Sequence, residues 1–215
     1  MAKKAIITAG GWDGHEPTQC AAVFKTVLEK EGYDVEVHET MDVFADADTM
    51  NNANLIVPIW TMGEISGEQE SGLMAAVSSG VGLAGFHGGM CDAFRNNTNY
   101  QFMTGANWVS HPDNIKDYTV NITSDDPIVD GLSDFDMHSE QYYLHVDPHV
   151  EVLASTTFVG SEQAPWVNGC VMPVVYKKMW GEGRVFYSSL GHVASDFDVS
   201  EAKEIQRRGM LWAST

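Results

Sequence analysis

Histidines in polar, loop-like segments are the residues of this chain whose chemistry is most apparent. Five of its eight histidines lie in such segments: His15, His87, His111, His145 and His192. Imidazole titrates nearest to neutral pH and is the commonest metal ligand in proteins, so these residues suit proton transfer or metal binding. For any single histidine, a solvated side chain is the simpler interpretation. Its position relative to the predicted strands must therefore decide whether a functional role is favoured.

Three of these histidines directly follow predicted strands. His15 lies in the glycine-rich loop after the first strand, His87 lies within Gly85–Gly89, and His192 ends the segment Ser188–His192. Core packing does not require a polar ring at the end of a strand, and the neighbouring glycines allow sharp turns. The pattern predicts that these three residues share one pocket and are catalytic. The remaining histidines are interpreted as surface or structural residues: His38, His138 and His149.

Glu140 is the leading candidate among the carboxylates. It lies beside aromatic residues in the segment 138–142 (HSEQY). Apolar neighbours raise the pKa of a carboxyl group and suit it to act as a general acid or base. An aromatic wall of a sugar site and a plain exposed turn remain equal alternatives. Asp13 and Asp196 are weaker candidates, Trp108 is a candidate wall residue, and the predicted substrate contacts are Trp12, Glu16, Trp60, His111, Tyr142 and His145.

A metal centre is a second interpretation of the same residues. His15, His87 and His192 come from separate loops, and with an acid they would suit zinc in an open, three-ligand catalytic site. No local signature, such as two histidines on one helical turn, supports this arrangement. The sequence leaves the cofactor open, with a divalent metal such as zinc as the candidate.

The segment Gly85–Gly89 resembles a nucleophile elbow, in which a strand, a glycine turn and a helix push one residue out above the sheet. The elbow residue is His87, which cannot form the usual ester or thioester. Cys91 lies four residues further on, where a small buried apolar residue is the simpler interpretation. A cysteine-dependent amidotransferase or hydrolase is therefore disfavoured.

Alternating strands and helices must position these residues. The order predicts an α/β fold: a doubly wound, mostly parallel sheet with helices on both faces and right-handed crossovers. In such sheets ligands bind beyond the carboxyl ends of the strands, so the loops of His15 and His87 should meet there. The predicted elements of the first half are strands at 5–9, 33–38, 55–60 and 81–86 and helices at 17–32 and 66–79.

The second half is less regular in pattern. Strands are predicted at 118–123 and 151–155, a hairpin at 172–179 and 184–189, and a closing helix at 200–213. No linker or repeat interrupts the chain, so one domain over residues 1–215 is expected.

Composition excludes some partners and favours a compartment. The chain has 30 acidic and 12 basic residues and a formal charge of -18, which disfavours nucleic acid and anionic membranes. No segment approaches the roughly 18 apolar residues that a membrane helix needs. Three widely spaced cysteines, Cys20, Cys91 and Cys170, fit a reducing cytoplasm.

Several segments together resemble the ThuA-like (trehalose utilisation) family, whose fold is similar to that of class I glutamine amidotransferases and is flavodoxin-like in topology. The longest runs from Pro173 through Gly181 to His192. The others are His15–Glu16, Gly85–Gly89, Ser110–Pro112 and Asp126–Leu132. The family often has Asp-Glu-x-Tyr where this chain has Ser139–Tyr142, so the first acid is absent.

The resemblance implies a role in the catabolism of trehalose, other disaccharides or keto-glycosides, as a lyase, hydrolase or isomerase. The favoured hypothesis is acid–base chemistry on a keto-sugar. His87 or Glu140 would take the proton, while His15 and His192 polarise the oxygen directly or through a metal. The alternative is a non-catalytic sugar-binding or regulatory protein. A small carbohydrate is the expected partner, and a homo-oligomer remains open.

Overall fold

The structure is a computed structural model and describes residues 2–215. Its strands are β1 (Lys4–Gly11), β2 (Asp34–His38), β3 (Leu55–Thr61), β4 (Gly82–Phe86), β5 (Ala106–Ser110), β6 (Ile115–Ile122), β7 (Phe135–Glu140), β8 (Tyr143–Val146), β9 (Glu151–Thr157), β10 (Val171–Trp180) and β11 (Gly183–Ser188). Its α-helices are α1 (Pro17–Lys30), α2 (Ala47–Asn51), α3 (Gly67–Ser78), α4 (His87–Cys91), α5 (Thr98–Thr104) and α6 (Ser200–Ala213). None of the helices in this range is long and apolar enough to cross a membrane.

A nine-stranded sheet organises the molecule, in the order β2-β1-β3-β4-β11-β10-β9-β6-β7. The first five strands are parallel and follow the flavodoxin-like order, with β11 as the fifth strand. From β11 to β7 every pairing is antiparallel. Strands β5 and β8 form a separate antiparallel ribbon. The predicted α/β class and topology are confirmed, and the second half of the chain adds the antiparallel extension.

Alternating side chains of the parallel strands fill two cores, one on each face of the sheet. Ile7 of β1 packs in a cluster with Phe24 of α1 and Ile205 of α6. Its neighbour Ile6 packs in the other cluster with Leu73 of α3. Successive side chains of a strand point to opposite faces, so a strand that is apolar throughout requires helices on both sides. This explains why α1 and α6 cover one face and α3 covers the other.

Local sequence signals determine where helices α1 and α3 begin. Pro17 occupies the first turn of α1, where its missing N–H removes no helical hydrogen bond. Helix α3 begins with a capping box, because Ser66 and Gln69 each accept the other's backbone N–H, at 3.2 and 3.0 Å. Both helices therefore begin directly after the loops that follow β1 and β3.

Candidate active site

The carboxylate of Glu140 lies at the centre of three imidazoles. Its Oε2 atom is 3.1 Å from His87 Nε2, 3.3 Å from His192 Nδ1 and 3.9 Å from His15 Nε2. Glu140 itself is buried, with 5% of its surface exposed. One ligand atom from each of these four residues lies within 4.8 Å of the others. We call His15, His87, Glu140 and His192 the histidine–glutamate cluster.

The topology explains why the three histidines meet. His15 lies in the short turn after β1, His87 begins α4 directly after β4, and His192 follows β11. These strands are parallel and lie within four neighbouring positions of the sheet, so their carboxyl ends share one edge. Glu140 reaches the same place differently, because it ends β7 at the far antiparallel edge.

The turn after β4 brings His87 close to its partners at the expense of backbone strain. His87 has a φ of 45°, in the left-handed region that side-chain-bearing residues rarely adopt. The two glycines that follow allow close packing: a Cβ atom on Gly88 would lie 2.6 Å from Cε1 of His15, and one on Gly89 would lie 2.9 Å from the Cα of Ile59. The structure thus has the predicted elbow geometry, with an imidazole as the elbow side chain.

Backbone and hydroxyl partners orient the imidazoles. Nδ1 of His87 lies 2.8 Å from the carbonyl oxygen of Ser189. A carbonyl oxygen only accepts hydrogen bonds, so Nδ1 carries the proton and a neutral His87 presents the lone pair of Nε2 to Glu140. Nδ1 of His15 is similarly held, 2.9 Å from Oγ1 of Thr61. Such outer hydrogen bonds are the usual way in which proteins orient metal-binding histidines.

Burial and mutual contact shift the ionisation of the cluster. Burial lowers the pKa of His87 to about 4, so its ring is neutral near pH 7. Burial opposes ionisation of Glu140, but contacts with His15 and His192 outweigh it and hold the pKa of this carboxyl well below its ordinary range, so the raised pKa expected from its aromatic neighbours is wrong. Burial also opposes protonation of His192, yet contact with Glu140 raises the pKa of that imidazole. A carboxylate therefore faces the unprotonated Nε2 of His87, and two lone pairs at 3.1 Å repel unless a cation or proton lies between them.

Aromatic side chains border the cluster. The ring of Tyr142 stacks on His87 with 3.8 Å between ring centroids. Trp12 meets His15 edge-on at 4.8 Å and is 46% exposed. Gly10, near the end of β1, makes room for a tryptophan, since a Cβ atom at this position would lie 2.5 Å from the ring of Trp60. This glycine of the predicted loop thus lies in the strand and serves ring packing.

His111 approaches the cluster from the turn between β5 and β6. Its Nε2 atom is 3.6 Å from Oε1 of Glu140, whereas the distances given above for the other three imidazoles are to Oε2. The ring of Trp108 lies 5.6 Å from that of His111, and the guanidinium of Arg95 lies over Trp108 at 4.4 Å. Arg95 was not predicted as a site residue, because no pattern in the sequence links it to the histidines.

Two predicted substrate contacts have other surroundings in the structure. His145 is exposed on β8 and does not join the cluster, because its neighbour Leu144 points into the core and adjacent strand residues face opposite sides. Glu16 is committed to a backbone contact: its Oε2 accepts a hydrogen bond from the N–H of Ala194 at 3.0 Å. It joins the loops of His15 and His192 rather than presenting a free carboxylate.

The remaining histidines and the cysteine lie apart from this chemistry. His38 and His138 pair with acids on the surface, at 3.3 and 2.7 Å, and His149 is exposed. Cys91 is buried against the hydroxyl of Tyr176, and burial raises the pKa of its thiol to about 12. A thiol held in this way is a poor nucleophile.

The fold and the cluster define a flavodoxin-like α/β protein with three histidines and one carboxylate at the carboxyl edge of its sheet. The profile of the ThuA family, described as trehalose utilisation, matches residues 4–213, and the chain belongs to that family. This membership supports a role in carbohydrate utilisation.

Solved structures of low sequence identity share the fold. A ThuA-like protein from Bacteroides uniformis is 18% identical, with a TM-score of 0.79 over 98% of this chain and 91% of that one. Another from Parabacteroides merdae is 18% identical, with a TM-score of 0.76 over 100% of this chain and 90% of that one. The cytoplasmic protein STM3548 from Salmonella typhimurium is 13% identical, with a TM-score of 0.67 over 99% of both chains. No curated protein matches the chain significantly.

Proposed function

We propose that the histidine–glutamate cluster binds a divalent transition-metal cation, zinc foremost, and that the protein uses this site for acid–base chemistry on a carbohydrate. The observation that carries the proposal is the proton arrangement of His87. Its Nδ1 donates to the Ser189 carbonyl, so Nε2 points a lone pair at the Glu140 carboxylate from 3.1 Å. His87 and Glu140 would both hold such a cation, and the repulsion between their lone pairs would then be relieved.

The cluster fits such a cation in donor type and in size. Imidazole and carboxylate together suit zinc and its neighbours in the first transition series. Bonds of 2.0–2.1 Å in a tetrahedral zinc site place neighbouring ligand atoms about 3.4 Å apart. His87 and His192, at 3.1 and 3.3 Å from the carboxylate oxygen, agree with that spacing. His15, at 3.9 Å, would have to move about 0.5 Å closer, and the most widely spaced ligand atoms, up to 4.8 Å apart, would have to close further.

Proton transfer would take place on the side of Glu140 that faces His111. A bound cation would polarise a carbonyl or hydroxyl oxygen of the substrate as a Lewis acid. Both nitrogens of His87 are occupied, so we assign His87 to holding the site rather than to taking the proton. Because its low pKa makes Glu140 a weak base, the proton from the carbon next to a keto group would pass to His111, whose Nε2 lies 3.6 Å from Oε1 of that carboxylate. The C–H electron pair would become the new C=C bond while the π pair of the C=O bond moves to oxygen, which forms an enolate.

A sugar is the substrate class that the surroundings favour. Trp12 offers a half-exposed aromatic face next to His15, and aromatic faces pack against the apolar faces of sugar rings. His111, with 30% of its side chain exposed, is placed to contact a hydroxyl group. A cytoplasmic location completes the proposal, in keeping with the description of STM3548 as a cytoplasmic protein.

Elemental analysis and a substrate screen test the proposal together. Protein purified in metal-free buffer is analysed, reloaded with zinc, and assayed on disaccharides and their keto derivatives. We expect one metal per chain and loss of turnover in His87→Ala and in His192→Ala, with His38→Ala as the surface control. Full turnover in folded His87→Ala and His192→Ala would overturn the proposal. Saturable sugar binding without any turnover would instead identify a sugar-binding protein.

A further inference from the structure

Asp196 links the two parts of the chain that carry Glu140 and His192. A single oxygen of its carboxylate, Oδ2, accepts a hydrogen bond from the Ser139 hydroxyl at 2.5 Å and another from the backbone N–H of His192 at 3.0 Å. Ser139 directly precedes Glu140 in β7, and it is 1% exposed. Asp196 is itself buried, with 9% of its surface exposed. One buried atom therefore joins the residue before one member of the cluster to the backbone of another.

The sheet alone does not bring these two parts together. Strand β7 lies four places from β11, with β10, β9 and β6 between them. Four spacings of about 4.8 Å would separate the two strands by about 19 Å across a flat sheet. Nevertheless Oε2 of Glu140 is 3.3 Å from Nδ1 of His192. The antiparallel half must curl over the carboxyl edge, and no ladder hydrogen bond joins β7 to β11 to hold it there.

We propose that Asp196 is a positioning residue that holds the end of β7 against the loop after β11 and so sets the distance between Glu140 and His192. The inference rests on the proposed function only in taking the histidine–glutamate cluster as the functional site. The same loop is fixed on its other side, where Glu16 accepts the N–H of Ala194. Asp196 and Glu16 thus hold the loop of His192 between β7 and the loop of His15.

The burial of Asp196 supports this role over a merely incidental contact. A buried carboxylate loses its hydration, which is costly unless hydrogen bonds replace the water. The two hydrogen bonds named here replace it, and both come from groups adjacent to the cluster or within it. Because both end on the same oxygen, an asparagine can place its amide oxygen there and keep both. The role therefore depends on hydrogen-bond geometry rather than on charge.

Three variants separate this role from general stability. Asp196→Ala removes both hydrogen bonds, Asp196→Asn keeps an acceptor in place, and Asp198→Ala removes an exposed carboxylate of the same turn as a matched control. The first readout is the crystal structure of each metal-free protein. We expect the separation of Glu140 Oε2 and His192 Nδ1 to widen beyond hydrogen-bond distance in Asp196→Ala and to stay near 3.3 Å in the other two.

The second readout is zinc affinity, with Co²⁺ as a spectroscopic probe of ligand geometry. Outer-shell substitutions lower metal affinity by about 10- to 100-fold, and we expect such a loss in Asp196→Ala with an altered Co²⁺ spectrum. Asp196→Asn and Asp198→Ala should bind like the native protein. An unchanged separation in folded Asp196→Ala would overturn the inference. If the native protein binds no metal, the metal proposal fails, while the crystallographic readout still decides the role of Asp196.

Discussion

Replacing Glu140 with glutamine should lower stability, and by more with metal than without it. In the native protein without metal, the carboxylate faces the lone pair of His87 Nε2 at 3.1 Å. In Glu140→Gln, an amide N–H takes the place of one carboxylate oxygen and donates to that lone pair. The variant loses the charged contacts with His15 and His192 that hold the pKa of Glu140 below its ordinary range, so the metal-free variant should be less stable than the native protein.

The size of the effect follows from ordinary magnitudes. A hydrogen bond to a charged group contributes about 1.5–3 kcal/mol and a neutral one about 0.5–1.5 kcal/mol, so exchanging the first kind for the second should cost about 1 kcal/mol without metal. In a protein of this size that lowers Tm by about 2–4 °C. Zinc at 100 times its Kd stabilises a protein by about 2.7 kcal/mol, which corresponds to about 5–11 °C. The variant lacks the anionic ligand and should gain much less, so the difference in stability widens.

Calorimetric melting in chelator and in excess zinc measures both differences. The matched control is Glu36→Gln, because Glu36 pairs with His38 at a similar 3.3 Å but on the surface. Surface substitutions of this kind usually change stability by no more than about 0.5 kcal/mol. A higher Tm for folded Glu140→Gln in chelator would show that the lone-pair contact with His87 outweighs the contacts with His15 and His192. That result would refute our account of the charges in the cluster.

Two further predictions concern packing and charge. Gly88→Ala places a Cβ atom 2.6 Å from Cε1 of His15. We expect the free energy of unfolding to fall by about 1–3 kcal/mol and zinc binding to weaken. Gly67→Ala is the control, because a Cβ atom there would meet no atom within 4 Å. Equal zinc affinity in the two folded variants would contradict this. Hydrogen bonds from Arg207 and Arg208 lower the pKa of Glu204 to about 2, whereas the pKa of an unfolded glutamate is about 4.3. The stability that ionised Glu204 contributes is therefore present above pH 4.3 and is lost as the pH falls towards 2. Because Glu204 is partly exposed, Glu204→Gln should lower the free energy of unfolding by less than about 1 kcal/mol at pH 6 and by less still at pH 2.5. Denaturant titrations at both pH values measure this, and a larger difference at pH 2.5 would show that the predicted sign is wrong.

The parallel half of the fold was predictable because its signals are local. Strand β3 is a continuous apolar run, and the helix between β3 and β4 has both periodicity and a capping box. Such runs need cover on both faces, and this requirement alone implies a doubly wound sheet. The strand ends that carry His15 and His87 followed from the same reasoning, whereas the strand before His192 was predicted as part of a hairpin.

Strand β7 shows why the antiparallel half was harder to predict. Its six residues alternate between buried Phe135 and Met137 and exposed Asp136 and His138. This period of two is the signature of a strand, but the run is short and ends on polar residues. The sequence pattern around Glu140 is therefore compatible with a catalytic acid, a sugar contact or a turn.

By itself the sequence determined which residue types are available for chemistry and that three imidazoles follow strands. Only the tertiary structure decided that Glu140 lies among them and that His145 does not. Those outcomes depend on how the antiparallel strands curl and on which face of β8 turns outward. Neither can be inferred from residues that are adjacent in the sequence. The orientation of His87 depends in turn on the backbone carbonyl of Ser189, a group that every residue carries and that only the fold can bring to the ring.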